Sequence, residues 1–254
     1  MELSSNQFLV IANMKMNVVQ EKYLNEYKNL ILNSDYYKVV ILPPSPFIVT
    51  LHNIISNKYI NHIGVQNIHA ESKGSFTGAT SIDMVLNYIS YVLIGHSERR
   101  ILFSENNLDI RKQLVLTINK NLIPILAVGE SAEDKNRNQF ESAIRVQLSI
   151  LKDIKSSKKI YVAYEPVWAI GTDNVADSQY IADAAAYILE EINRINSNIN
   201  ISVIYGGSVT DKNITEIYNV ANIDGVLVGG ASADVTKFAQ ILHNIDQSNS
   251  SDAK

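Results

Sequence analysis

The chain contains no cysteine among its 254 residues. This absence excludes disulfide bonds, thiolate catalysis and cysteine-bound metal sites, and it fits a reducing compartment such as the cytoplasm. Basic residues are not in excess either, because 22 Lys and Arg stand against 26 Asp and Glu, for a formal net charge of -4. The sequence therefore has no basic footprint of the kind that binds nucleic acid or an anionic membrane surface.

Long apolar runs are absent as well. No stretch is long enough to span a bilayer, and the opening MELSSNQF lacks the basic start and apolar run of a signal peptide. We therefore expect a cytoplasmic protein without a membrane partner. No low-complexity linker divides the chain, and a hydrophobic content of 46% is enough to bury a full core. We predict a single domain over residues 1–254, with 246–254 as a frayed tail.

What the chain does contain is a series of eight short, β-branched and continuously apolar runs. Continuous rather than alternating hydrophobicity favours parallel strands that are covered on both faces. Helical patterns separate the runs, and the clearest helix follows Asp177 as its N-cap. This alternation predicts a (β/α)8 barrel, a fold in which chemistry collects at the carboxyl ends of the strands. The runs are FLVIANM from Phe8, KVVILP from Lys38, HIGVQN from His62, YVLIGH from Tyr91, LIPILAVG from Leu122, IYVAYE from Ile160, ISVIYGG from Ile201 and GVLVGG from Gly225.

The segment AYEPVWAIGTDNVA, from Ala163 to Ala176, is the most informative of these strand ends. Glu165 follows the sixth strand directly, and Pro166 biases it toward extended geometry. The small and apolar residues that come next suit a loop that covers a substrate. The segment predicts an acid/base site with its own cover, although a surface turn with an ordinary exposed glutamate has the same pattern.

The other strand ends also carry polar residues and glycines, each of which has an ordinary structural interpretation. His96 fits a histidine packed beside a strand, Lys15 a solvated loop residue, and the paired glycines two tight turns. On one rim, however, the glycines after the last two strands leave backbone N–H groups for a phosphate, and Lys15 supplies a fixed cation. Removal of a proton next to a carbonyl needs a base, a hydrogen-bond donor and a fixed cation, and Glu165, His96 and Lys15 are one of each. The strand-end residues are Asn13, Lys15, Gln66, Asn67, His96, Glu98, Glu165, Gly206, Gly207, Ser208, Gly229 and Gly230.

Six segments along nearly the whole chain resemble the triosephosphate isomerase family, whose fold is the single-domain (β/α)8 TIM barrel. They occur in the order and at the spacing of that family. One match is weak, but six together are very specific. The segments are NMKMN at 13–17, GSFTG at 74–78, GHSERR at 95–100, AYEPVWAIGT at 163–172, YGGSV at 205–209 and LVGGAS at 227–232.

This resemblance implies that the chain interconverts dihydroxyacetone phosphate and D-glyceraldehyde 3-phosphate through an enediolate. In the family pattern Glu165 is the base, and neutral His96 polarises the carbonyl and relays protons between the oxygens. Lys15 and Asn13 stabilise the oxyanion, with Glu98 beside Lys15. The reaction requires no metal and no organic cofactor.

The resemblance also implies how the phosphate is held and how the chain assembles. Main-chain N–H groups of Gly171, Ser208, Gly229 and Gly230 bind the phosphate, while Ile170 and the covering loop exclude water. The implied assembly is a homodimer in which Thr77 enters a pocket beside Asn13 and Glu98 of the partner.

Several positions depart from the family pattern and leave lid geometry, phosphate affinity and packing open. They are Met14 for a tryptophan, Ala79 for a glutamate, Ala127 for a cysteine and Asp173 for a glycine. Two other functions also fit a barrel with such a rim. One is a different phosphate-binding enzyme, such as another sugar-phosphate isomerase or a lyase; the other is a non-catalytic binding or surface-adhesion protein.

Overall fold

The computed structural model describes residues 7–18, 20–31, 34–55, 57–170 and 175–251. Within these ranges eight strands form one parallel sheet in the order β2-β1-β8-β7-β6-β5-β4-β3. All eight predicted strands are present. They are β1 (Phe8–Asn13), β2 (Tyr37–Leu42), β3 (Gly64–Val65), β4 (Tyr91–Ile94), β5 (Ile123–Val128), β6 (Ile160–Tyr164), β7 (Ile201–Tyr205) and β8 (Gly225–Val228).

The sheet closes into a barrel because Ile41 in β2 forms a parallel bridge with Ile63, the residue before β3. Alternate residues of each strand point in opposite directions, so the strands separate two apolar clusters. A small cluster fills the barrel and includes Leu9, Ile11 and Leu93. A larger one lies between the strands and the surrounding helices. The predicted (β/α)8 TIM barrel is confirmed.

Ten α-helices lie within the described ranges. They are α1 (Glu21–Ile31), α2 (Ile48–Ile55), α3 (Ile82–Val85), α4 (Ser97–Leu102), α5 (Asn107–Asn119), α6 (Ala132–Asn136), α7 (Phe140–Leu148), α8 (Ser178–Ile195), α9 (Ile214–Tyr218) and α10 (Val235–Ser251). As predicted, Asp177 caps α8, since its carboxylate accepts a hydrogen bond of 2.8 Å from the N–H of Tyr180. None of the helices described combines the length and the apolar character needed to cross a membrane.

The segment 246–254, which the sequence predicts to be a frayed tail, begins inside helix α10, and its fraying stays a prediction. Helix α10 continues past Ile245 because polar side chains in its last turns have partners on the body of the barrel. Asp246 accepts hydrogen bonds from Ser34 at 2.8 Å and Tyr37 at 3.3 Å, and Asn249 accepts one from Tyr218 at 2.9 Å. Residues 252–254 lie outside the described ranges.

One charged side chain occupies an inward-facing position near the amino end of the barrel. Lys38 lies two residues before Val40, which belongs to the interior cluster, and only 8% of Lys38 is exposed. Its ammonium lies 5.3 Å from the centre of the Tyr91 ring. Across the part of the chain that the structure describes, no carboxylate forms an ion pair with it. Burial lowers the pKa of Lys38 to about 8.

Candidate active site

Glu165 stands where the sequence placed it, directly after β6 at the carboxyl rim of the barrel, and is 1% exposed. Its own N–H donates to the carbonyl oxygen of Val128 at 2.7 Å, which ties it to the end of β5. Its carboxylate oxygen Oε2 accepts a hydrogen bond of 3.0 Å from the N–H of Ser97. The other oxygen, Oε1, has no hydrogen-bond partner among the described residues. The carboxylate is thus held through one oxygen, while the other is buried without a hydrogen-bond partner among the described residues.

Two glycines provide the space that Glu165 occupies. A Cβ atom at Gly129 would lie 1.6 Å from the carbonyl oxygen of Glu165, and one at Gly206 would lie 2.9 Å from its Cγ. Both glycines follow strands that flank β6. A larger residue at Gly129 would displace the backbone of Glu165, and one at Gly206 would displace its side chain, so the glycines on either side have a steric function.

His96 lies beside Glu165 and is 6% exposed. Its Nε2 is 3.4 Å from Oε1 of Glu165. Its Nδ1 accepts a hydrogen bond of 3.2 Å from the N–H of Glu98, so His96 serves as the N-cap of α4. A ring nitrogen that accepts a hydrogen bond carries no proton, and this contact therefore favours the neutral ring with its proton on Nε2.

Lys15 reaches the same site from the end of β1. Its Nζ lies 2.6 Å from Oε1 of Glu98. Its backbone adopts the left-handed region with φ of 49°, which is strained for lysine. Two hydrogen bonds hold that conformation: its N–H donates to Asn13 Oδ1 at 3.1 Å, and its carbonyl oxygen accepts from Gln66 at 2.9 Å. One continuous set of contacts thus joins the rim residues Glu165, His96, Glu98, Lys15 and Asn13.

The positions predicted to hold phosphate lie on the same rim but make fewer mutual contacts. A Cβ at Gly229 would lie 3.3 Å from Cε of Lys15, so this glycine adjoins the cation, whereas Gly230 faces open space. Ser208 is partly exposed after β7, and its carbonyl oxygen accepts a hydrogen bond from Asn213 at 2.9 Å. Ile170 ends the short 3-10 turn Val167–Ala169.

Gly171 and Asp173 lie outside the described residues, so the predictions made for the rest of the covering loop stay predictions.

Thr77 is exposed in the loop between β3 and α3. Phe76 beside it packs on the ring of His69, with ring centres 3.9 Å apart. A cavity of about 740 Å³ opens next to Lys15 and Glu98 and extends over Phe103.

Sequence reasoning did not identify Ser97, Gly129 or Arg100 as residues of the site. Each of them shapes the site through contacts that only the folded barrel creates. Arg100 donates to the carbonyl oxygens of Gly95 at 2.7 Å and Ala127 at 3.0 Å. Burial lowers the pKa of its guanidinium to about 10, and the charge of Glu165 counteracts part of that shift. Both Ser97 and Arg100 belong to the segment GHSERR, which indicates a functional site. The segment alone does not show which atoms these two residues contact.

No group of three or more histidine, aspartate or glutamate side chains suited to a metal ion occurs in the described part of the chain.

Known proteins match this chain over most of its length. A sequence profile described as triosephosphate isomerase covers residues 8–245. The triosephosphate isomerase of Prochlorococcus marinus (strain MIT 9301) is 38% identical over 240 residues, which is 92% of this chain and 98% of that protein. That of Neisseria meningitidis serogroup A is 37% identical over 244 residues, or 93% and 97% of the two chains. That of Vesicomyosocius okutanii is 37% identical over 210 residues, or 80% and 84%. With its closed barrel and its rim of strand-end residues, the chain belongs to the triosephosphate isomerase family.

Proposed function

We propose that the chain interconverts dihydroxyacetone phosphate and D-glyceraldehyde 3-phosphate by proton transfer through an enediolate, the isomerase step of glycolysis and gluconeogenesis. The observation that carries this proposal is the unbroken set of contacts from Glu165 through His96 and Glu98 to Lys15 in a chain of this family. A base, a neutral hydrogen-bond donor and a cation are the three groups that the reaction needs.

Glu165 acts as the base that moves the proton between the two carbons. Its Oε1 has no hydrogen-bond partner among the described residues, so that oxygen is available to take a proton. Its near-complete burial keeps water away from the carboxylate and strengthens its electrostatic interactions. The bond from Ser97 to Oε2 holds the carboxylate in place while substrate is absent.

His96 acts as the electrophile that polarises the substrate carbonyl and relays protons between its oxygens. Because Nδ1 accepts from the N–H of Glu98, the ring donates through Nε2, which faces Glu165 across the site. A neutral donor stabilises the growing oxyanion and can recover its proton afterwards.

Lys15 and Asn13 stabilise the negative oxygen of the enediolate, and Glu98 orients the lysine. The close approach of Lys15 to Gly229 brings the cation to the part of the rim proposed for phosphate. Main-chain N–H groups of Gly171, Ser208, Gly229 and Gly230 bind the phosphate. Ile170 helps exclude water, which matters because an exposed enediolate phosphate eliminates its phosphate.

The active unit that we propose is a cytoplasmic homodimer in which Thr77 enters the cavity beside Asn13 and Glu98 of the partner. Large exposed apolar side chains around Thr77 and the cavity support the proposed dimer, since Met16 is 97% exposed, Met84 67% and Phe76 45%. Exposed apolar groups of this size favour a protein interface.

A coupled assay on the purified protein tests the reaction. We expect turnover of both triose phosphates, and a Glu165→Gln variant of nearly the same shape should bind substrate but lose turnover. Turnover should also persist after dialysis against a chelator, because proton transfer between these side chains requires no metal or organic cofactor. Turnover of the triose phosphates is compared with turnover of a panel of other sugar phosphates. Selective activity on a different member would favour another phosphate-binding barrel enzyme, and no activity on any would favour a binding protein.

A further inference from the structure

The chain has one tryptophan, Trp168, and it stands three residues after the proposed base. Its indole N–H donates a hydrogen bond of 2.6 Å to Oε1 of Glu130, a completely buried carboxylate. The same carboxylate accepts hydrogen bonds from Tyr164 at 3.2 Å and from Tyr180 at 2.8 Å. The edge of the indole is therefore fixed by a buried anion whose own position is fixed by two phenols.

Lys135 acts on the face of the same indole. Its ammonium lies 3.0 Å from the centre of the Trp168 ring and 5.0 Å from that of Tyr180. Throughout the described part of the chain, no carboxylate forms an ion pair with it. A cation over a ring face is attracted by the ring quadrupole. The hydrogen bond to Glu130 increases the electron density of the indole, so the two contacts reinforce each other.

Lys135 is itself well placed to act as a fixed cation. It lies in α6, which begins with a capping box in which Ser131 and Asp134 exchange hydrogen bonds. This helix start follows Glu130 directly in the chain. One short segment thus supplies both the carboxylate at the edge of the indole and the ammonium on its face.

The indole is connected to Glu165 through a short and rigid stretch of backbone. The N–H of Glu165 donates to the carbonyl oxygen of Val128 at 2.7 Å, and the N–H of Val167 donates to the backbone carbonyl oxygen of Glu130 at 3.1 Å. Pro166 lies between these two contacts and restricts the backbone further. A shift of Trp168 would therefore be transmitted to Glu165, where a displacement of about 1 Å is enough to slow proton transfer strongly.

We propose that Lys135 is a positioning residue for the isomerisation, acting through Trp168 on the segment that carries Glu165. The proposal rests on the function proposed above. Lys135 need not touch substrate, because its effect is to hold the indole against Glu130 and so keep the carboxylate of Glu165 at a constant place.

The test compares Lys135→Met, Lys135→Arg and the control Lys155→Met, which removes an exposed lysine before β6. As the only tryptophan, Trp168 reports its own environment, and acrylamide is a suitable quencher because it is uncharged. Lys135→Met should shift the emission to the red, raise quenching about twofold and lower kcat about three- to tenfold, with KM within about twofold of wild type. Lys135→Arg should restore both signals, and Lys155→Met should change neither.

The readouts separate failure of this proposal from failure of the proposed function. If the wild type is active and Lys135→Met keeps wild-type kcat, Lys135 has no positioning role. A loss of kcat without any change in Trp168 fluorescence would also overturn the proposal, because the indole is the proposed intermediary. A wild type without isomerase activity would overturn the proposed function and the positioning role with it, while the fluorescence would still report the contact.

Discussion

The proposed acid/base pair depends on two backbone N–H groups more than on other side chains. Ser97 donates to the carboxylate of Glu165, and Glu98 donates to the ring of His96. Both donors belong to the first turn of α4, where N–H groups lack partners inside the helix. A single helix start therefore sets the position of the base and the tautomer of the donor.

Shortening the base by one methylene should reduce turnover without unfolding the protein. In Glu165→Asp the carboxylate withdraws by about 1 Å, and we expect kcat to fall by roughly a hundredfold or more. Binding of phosphate-bearing inhibitors should persist. Steady-state kinetics measure the effect, with Glu190→Asp on the exposed face of α8 as the control. Turnover near the wild-type value would show that Glu165 is not the base.

Removing the charge of Lys15 should affect binding and turnover together. Lys15→Met keeps the approximate volume but loses the cation that serves both the bound substrate and the transition state, so KM should rise and kcat should fall. It also leaves Glu98 without its 2.6 Å partner. Comparison with Glu98→Gln, which keeps the lysine charge, separates the two contributions. An unchanged KM and kcat in Lys15→Met would make Lys15 a solvated loop residue.

At the scale of the elements, the two ends of each strand have different functions. The carboxyl ends carry the proposed chemistry, whereas the amino end of β2 places Lys38 over the ring of Tyr91 in the interior. Its pKa is lowered from 10.5 to about 8, so the folded barrel disfavours the proton. Between these two pH values the unfolded chain binds more protons than the folded one, and the free energy of unfolding of the wild type rises with pH.

Lys38→Met should therefore stabilise the barrel at neutral pH. We expect the free energy of unfolding at pH 7 to increase by about 1–3 kcal/mol, because the substitution removes a charge that burial disfavours. The gain should shrink toward pH 10, where wild-type Lys38 loses its proton in the folded state. Urea unfolding across this pH range measures it, with Lys155→Met as an exposed control. A gain independent of pH would attribute the effect to packing instead of charge.

The sequence predicted the elements better than it predicted the contacts between them. Continuous apolar runs identified all eight strands, and Asp177 identified the start of α8, because both signals are local. The clearance that Gly129 gives to Glu165 and the bond from Ser97 depend on which strand ends become neighbours. The persistence of α10 to Ser251 has the same origin, since Asp246 needs Ser34 from a distant part of the chain.

At the scale of the whole molecule, the exposed apolar surface around Thr77 predicts self-association. We expect the wild type to be a dimer at micromolar concentration, and Thr77→Arg to yield monomers with much reduced activity, because a long cation cannot enter the partner cavity. Analytical ultracentrifugation combined with the isomerase assay measures both effects. Asn198→Arg adds the same charge in the exposed turn after α8 and should leave the dimer intact. A fully active monomeric wild type would contradict this prediction.

The closure of the barrel between β2 and β3 has a consequence for amide hydrogen exchange. One backbone bridge joins Ile41 and Ile63, and the side chain of Gln66 adds hydrogen bonds of 2.9 Å to the carbonyl oxygens of Leu42 and Lys15. Separation of these strands would also free the strained backbone of Lys15, so opening of the barrel and displacement of the proposed catalytic cation would occur together. Bound triose phosphate should then slow deuterium uptake at Gly64–Val65. Equal uptake with and without substrate would show that the closure opens independently of the site.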